Sequence, residues 1–220
     1  MVPNWAKNIL FLLIYMISGL VLVVIIEGLL SGSDLTPLNT VVEKFVVHMR
    51  TPLLTTFLVW VTTLWNPFIL SCLAVLMASL LAMRGYIYDA ILFLIGLLVT
   101  VVSLTILKNV FQITRPISDV YIAGGWSFPS GHATVATAFF FLLGHTFFGK
   151  VHTTAKRISL IIGSIVATVI VSFSRLYLGA HWTLDILAGV ALGLLCVSFT
   201  VLMFNIFFGS KRSLRRFIDM

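Results

Sequence analysis

Lys108, Arg115, Ser130, Gly131, His132, Arg175, His181 and Asp185 fall into three polar clusters of an otherwise apolar chain, and their side chains suit the handling of a phosphoryl group. The first cluster is KNVFQITRP, which holds Lys108 and Arg115-Pro116. The second is SFPSGHA, with Pro129-Ser130-Gly131-His132. The third is SRLYLGAHWTLD, with Ser174-Arg175, His181 and Asp185. Only 10% of the residues are charged, so cations, histidines and an acid gathered here need a reason. Ionisable groups near a hydrocarbon core are costly, which makes function the default reading.

A phosphoryl group in transfer spreads negative charge over three oxygens, so catalysis is mostly positioning and charge stabilisation. Lys108, Arg115 and Arg175 offer permanent cations, and each arginine can grip two oxygens. Ser130-Gly131 opens a helix, where free backbone N–H groups favour an anion and glycine lets the backbone approach it closely. His181 and Asp185 are four apart. An aspartate accepting from one ring nitrogen leaves the other free to attack phosphorus. His132 has no such neighbour and suits the acid that protonates the leaving oxygen, then the base that activates water. The cations supply the charge stabilisation, so this reading calls for no metal and no cofactor.

The elements that must position these groups are membrane helices. The chain has 220 residues, 60% hydrophobic, with a mean hydropathy of +1.13, against ~45–50% apolar for a soluble domain. Apolar runs at Ile9–Leu30, Pro67–Met83, Tyr86–Leu107, Gly131–Phe148, Ile158–Phe173 and Thr183–Phe208 predict six crossings. The first run exceeds the ~7–15 residues of a signal-peptide core and reads as a retained helix. Leu53–Met83 is too short for two crossings, and Asn66-Pro67 divides it into a short outer helix and one crossing. Between Ser31 and Pro52, Leu38, Val41, Val42, Phe45, Val46 and Met49 recur at helical spacing behind Thr36-Pro37. They predict an amphipathic helix, either lying on the membrane surface or packed on the crossings. The expected fold is all-α: one integral membrane domain over residues 1–220, with six transmembrane helices and a short extracytoplasmic amphipathic helix.

Six crossings put the three clusters on one face. The N-terminal side carries nine Lys and Arg (Lys7, Arg84, Lys150, Lys156, Arg157, Lys211, Arg212, Arg215, Arg216). The site side carries five (Lys44, Arg50, Lys108, Arg115, Arg175). The positive-inside rule then points the site away from the cytoplasm. The basic balance, 14 Lys and Arg against 7 Asp and Glu, fits loops facing anionic lipid. No basic stripe or motif supports a nucleic-acid partner. Cys72 and Cys196 sit in apolar runs and read as small hydrophobes.

K-x6-RP, PSGH and SR-x5-H-x3-D, in this order, resemble the type-2 phosphatidic acid phosphatase superfamily, which includes bacterial lipid phosphatases, glucose-6-phosphatase and vanadium-dependent haloperoxidases. The resemblance covers the third to sixth crossings, with core motifs over 108–185. It implies that Lys108, Arg115, Ser130, Gly131 and Arg175 bind phosphate, with His181 as nucleophile, Asp185 as its orienting partner and His132 as acid. Many members show a doubled RPRP; here Thr114 precedes Arg115-Pro116.

The expected function is metal-independent dephosphorylation of a membrane lipid phosphate at the extracytoplasmic face of the cell membrane. The bilayer and the lipid phosphate itself are the expected partners. Undecaprenyl diphosphate is the first substrate expectation, with phosphatidylglycerophosphate, phosphatidate and lipid A as alternatives. A lipid or anion transporter is the non-enzymatic alternative, although it has no use for a His181–Asp185 pair beside His132. The haloperoxidases of this superfamily are soluble, unlike a chain with six crossings. Trp126, Tyr177 and Trp182 read as an interfacial aromatic belt or a pocket wall. Asp119 reads as a turn residue, and His145, some 15 residues into its helix, as too far from the site to join it.

Overall fold

The computed structural model describes residues 4–31 and 36–208; the expected C-terminal cations Lys211, Arg212, Arg215 and Arg216 lie outside them. Among the described residues the regular elements are all helices, with no strand. The helices are α1 (Asn4–Leu30), α2 (Thr36–His48), α3 (Pro52–Leu64), α4 (Pro67–Met83), α5 (Ile87–Phe111), α6 (Gly131–Phe148), α7 (Thr154–Tyr177) and α8 (Thr183–Phe208).

Five of them, α1, α5, α6, α7 and α8, are long and apolar enough to cross a membrane. The expected sixth crossing, α4, has 17 residues, or ~26 Å, just under the ~30 Å of a hydrocarbon core. Its course is nevertheless that of a crossing. Pro67 at its start lies against Gly131 at the site end, and Ala78 and Leu81 pack with Ala90 of α5 at the other end.

Local chemistry explains the boundaries. Asn66 caps α4 by accepting the Phe68 N–H at 2.9 Å, and Pro67 takes a first-turn position where a missing N–H costs nothing. Thr51 caps α3 in the same way, at 3.3 Å from the Leu54 nitrogen. Two elements run longer than hydropathy suggests. α5 extends to Phe111, and α7 continues to Tyr177, so Lys108 and Arg175 sit in final helical turns rather than in the following loops. At the end of α7 the Arg175 guanidinium is buried against partners, described below.

The bend between α2 and α3 is 116°. Val46 of α2 is 3% exposed, and its helix packs on α7 and α8, whereas Val41 and Phe45 remain exposed. The amphipathic segment is therefore seated on the crossings through one face. Helix α3 lies against α7 with Leu58, Val61 and Thr62 inward and Leu53, Phe57 and Trp60 outward.

Helices α6 and α8 form the centre. Gly189 and Gly193 give α8 a small-residue face, and a Cβ at either would lie 2.8 Å from the Ser130 carbonyl or 2.7 Å from that of Thr134. That close approach is how helices without a hydrophobic driving force associate. It also brings the start of α8 to the start of α6, where the Ser130 N–H donates to the Asp185 carbonyl at 2.9 Å. At the far end of the bundle, Lys150 pairs with Asp89 at 2.6 Å and Asn205 donates to Asn8 at 2.9 Å. The ends of α5 and α7 and the starts of α6 and α8 thus meet at one end, as the sequence parity requires.

Candidate active site

A cavity of ≈ 270 Å³ opens at that end. Lys108, Arg115, Gly131, His132, Arg175 and His181 line it, together with Pro67, Tyr121 and the loop residues Ile122, Ala123 and Gly124. Six of the eight expected residues therefore share one wall. The other two stand behind it.

Asp185 is 2% exposed and lies 3.4 Å from Nδ1 of His181 through Oδ2. The pair does not share a helix face, because α8 starts only at Thr183. Instead Gly179, at φ +64°, ends α7 in the left-handed region and turns the chain so that His181 precedes α8. Asp185, in the first turn, reaches back and accepts the Trp182 N–H at 2.9 Å, the carboxylate half of a capping box. Ser130 is the second residue behind the wall. It is fully buried, and its N–H is committed to Asp185, so the anion-seeking N–H groups of α6 are those that follow it. Its hydroxyl has no partner.

Arg115 is engaged on every side. Nε donates to the Gly125 carbonyl at 2.9 Å, and Nη2 donates to Gly124 at 2.9 Å and Trp126 at 3.2 Å. Nη1 donates to Ala180 at 2.7 Å and sits 3.0 Å from Nε2 of His181. Lys108 Nζ donates to the Trp126 carbonyl at 2.6 Å. The two cations thereby fold the 112–130 loop over the cavity. Arg175 is 2% exposed; its Nη1 donates to Thr62 Oγ1 at 2.6 Å, its guanidinium lies 4.8 Å from the Tyr121 ring centre, and its Nε is unpaired.

Burial is the main cause that pushes the His181 imidazole down to about 4, and the Arg115 and Arg175 charges add to the drop while Asp185 opposes it. The ring is therefore neutral near pH 7. Burial, then Arg175, also lowers the Arg115 pKa, yet a guanidinium stays protonated.

Three residues of the site escaped the sequence reading. The Thr62 carbonyl lies 3.2 Å from His132 Nε2, and its hydroxyl takes Arg175. Tyr121 covers Arg175. Ser127 Oγ donates to Asp185 Oδ2 and lies 3.3 Å from His181 Nδ1. Tyr177, expected in an aromatic belt or the pocket wall, is in neither. It is fully buried, and its hydroxyl accepts the Thr51 N–H at 2.9 Å, pinning the start of α3. Trp126 is 38% exposed, and Trp182 Nε1 donates to the Thr114 carbonyl at 3.0 Å. His145 packs edge-on to Phe11, at 5.2 Å between ring centres, away from the cavity.

A profile of the PAP2 superfamily matches residues 89–208, more than half of the chain. Phosphatidylglycerophosphatase B of Bacillus subtilis is 30% identical over 161 residues, which cover 70% of this chain and 77% of that protein. Undecaprenyl-diphosphatase of Sulfolobus acidocaldarius is 42% identical over 69 residues, 31% of this chain and 29% of that one. The fold is similar to the crystal structure of a transmembrane PAP2-type phosphatidylglycerolphosphate phosphatase from Bacillus subtilis. That match has a TM-score of 0.76 at 22% identity and covers 90% of this chain and 96% of that one. LpxE of Aquifex aeolicus also matches, with a TM-score of 0.60 at 21% identity over 74% and 94% of the two chains. With motifs, cavity and fold in agreement, the chain belongs to the PAP2 superfamily and is a multi-pass membrane lipid phosphatase.

Proposed function

We propose that the chain hydrolyses the phosphate or diphosphate of a membrane lipid through a phosphohistidine on His181, without a metal, at the extracytoplasmic face. The observation that carries this reading is the setting of His181. Its Nε2 faces a cation-lined cavity while its Nδ1 is held among buried acceptors.

In the first step Nε2 attacks phosphorus. The P–N bond forms as the bond to the lipid-side oxygen breaks, and His132 gives that oxygen a proton. In the second step water attacks phosphorus, His132 takes a proton from it, and the P–N bond breaks to release inorganic phosphate. A carbonyl only accepts, so His132 Nε2 keeps its hydrogen on Thr62 and the transferred proton moves at Nδ1. Lys108, Arg115 and Arg175 stabilise the charge on the phosphoryl oxygens. The unpaired Ser130 hydroxyl and Arg175 Nε are buried donors that phosphate oxygens would satisfy.

Undecaprenyl diphosphate is the substrate we favour. The alignment with undecaprenyl-diphosphatase supports it. So does the outward orientation, because this carrier must be recycled after wall synthesis. Phosphatidylglycerophosphate is the second reading, on the longer alignment with phosphatidylglycerophosphatase B. Phosphatidate and lipid A complete the panel.

Phosphate release from these four lipids in detergent, with EDTA, tests the reading. Activity should persist with EDTA and be greatest on undecaprenyl diphosphate. Loss with EDTA overturns the metal-free route, and preference for another lipid overturns the substrate. A cysteine placed beside Trp126 should be labelled from outside intact cells; protection there reverses the orientation.

A further inference from the structure

Ser127 has a place in the reaction that the phosphate-binding motifs do not assign. It is fully buried at the end of the 112–130 loop, where its N–H donates to the Ile113 carbonyl at 2.8 Å. Its hydroxyl is in contact with both Asp185 Oδ2 and His181 Nδ1. The carboxylate only accepts, so the single hydroxyl hydrogen of Ser127 points to Asp185. Towards His181, the serine oxygen can then only accept.

Nδ1 therefore faces two acceptors, Ser127 Oγ at 3.3 Å and Asp185 Oδ2 at 3.4 Å. Either contact alone is longer than the ~2.7–3.2 Å of an ordinary N–H···O bond. One N–H shared between both makes a three-centre bond. Arg115 Nη1, which only donates, lies 3.0 Å from Nε2 and 3.5 Å from Nδ1, and so is the closer neighbour of Nε2. Two acceptors at Nδ1 and the shorter donor contact at Nε2 favour the same tautomer, with hydrogen on Nδ1 and the lone pair on Nε2. Of the remaining charged neighbours, Arg175 on α7 enters by field.

We propose that Ser127 is a positioning residue for the lipid phosphatase reaction. Its hydroxyl, held by Asp185, completes with that carboxylate a pair of acceptors at Nδ1 that fixes the ring orientation and the Nδ1–H tautomer, and so presents Nε2 to phosphorus. This rests on the phosphohistidine reading. The serine makes no bond to substrate; it acts through the histidine. Asp185 supplies the charge, and Ser127 supplies the second acceptor that its carboxylate, already shared with Trp182, does not provide alone.

The test compares wild type with Ser127→Ala, Ser127→Cys and His181→Gln, using undecaprenyl diphosphate and a short-chain phosphatidate in detergent. Losing one buried hydrogen-bonding group corresponds to a fall of about 10- to 100-fold. That fall should appear in kcat, with KM changed by less than about threefold, since phosphate contacts are untouched. Ser127→Cys keeps the size but bonds weakly, so it should fall in kcat with an unchanged melting temperature. Nitrogen-15 NMR of histidine-labelled protein reads the tautomer directly, with the His181 signals assigned by their loss in His181→Gln. Wild type should show hydrogen on Nδ1 alone, and Ser127→Ala a mixture with Nε2–H.

Unchanged kcat in Ser127→Ala, or an Nε2–H tautomer in wild type, overturns the proposal. If Ser127→Ala does not survive extraction, the cysteine variant and the wild-type tautomer decide. Retained activity in His181→Gln sinks the phosphohistidine route itself, whereas an inactive His181→Gln beside an unimpaired Ser127→Ala sinks only the serine assignment.

Discussion

Nη1 of Arg115 lies 3.0 Å from Nε2 of His181, so the attacking lone pair faces a guanidinium. The contact has two consequences. It helps to keep the ring neutral, because a nearby cation disfavours imidazolium. It also means that an entering phosphate must replace Nε2 as the acceptor of that N–H. Binding and uncovering of the nucleophile are then one event.

The pH profile follows. Protonation removes the nucleophile, and the folded-state pKa of His181 is depressed to about 4. The acid limb of kcat/KM, which reports the free enzyme, should therefore lie near that value and not at the ordinary histidine value of about 6.5. Arg115→Ala removes one of the depressing charges. Its acid limb should move upward while kcat falls about 100-fold or more. An acid limb that stays in place in Arg115→Ala would contradict the assigned contact.

Thr62 joins two functions through two atoms. Thr62→Val keeps the carbonyl that holds His132 and removes the hydroxyl that holds Arg175 Nη1. A buried guanidinium nitrogen left unpaired corresponds to about 1–3 kcal/mol. The expected outcome is a KM raised about tenfold with kcat less affected, measured by initial rates of phosphate release. A selective fall in kcat would place the defect at His132 instead.

Helix contact is testable at Gly193. A Cβ there would lie 2.7 Å from the Thr134 carbonyl and 2.9 Å from Thr137 Cβ. Gly193→Ala must push α8 from α6, and overpacking of this kind costs about 1–3 kcal/mol. The thermal midpoint in detergent should fall. Gly163→Ala on α7, where a Cβ would meet open space, is the control that should not lower it.

The starts of α4, α6 and α8 were legible because Asn66-Pro67, Ser130-Gly131 and Thr183 interrupt apolar runs with residues that cap or begin helices. The ends of α5 and α7 were not. Lys108 and Arg175 read as breaks in hydropathy, but each is held by carbonyls or a hydroxyl that let the helix continue. The site residues of PSGH and SR-x5-H-x3-D were visible because their spacing is local. Thr62 is 113 residues from Arg175, and one threonine in an apolar helix carries no mark of that partner. Ser127 was nearer to view. It stands three residues before Ser130 in a segment already singled out, and a polar residue between anchored motifs was the available signal.

Among the described residues the cavity is lined from α5, α6, α7 and the loops after α5 and α7, with Pro67 of α4 beside them, while Thr62 of α3 holds His132 and Arg175 from behind. The groups that line the phosphate cavity are thus concentrated in the second half of the chain. Descendants of such a scaffold can revise much of the first half without rewriting hydrolysis, provided that the contacts of Thr62 are kept. A chimera that carries another relative's first four helices on this catalytic half is the corresponding experiment in inheritance, with hydrolysis expected to survive where the donor supplies the hydroxyl that Thr62 provides here.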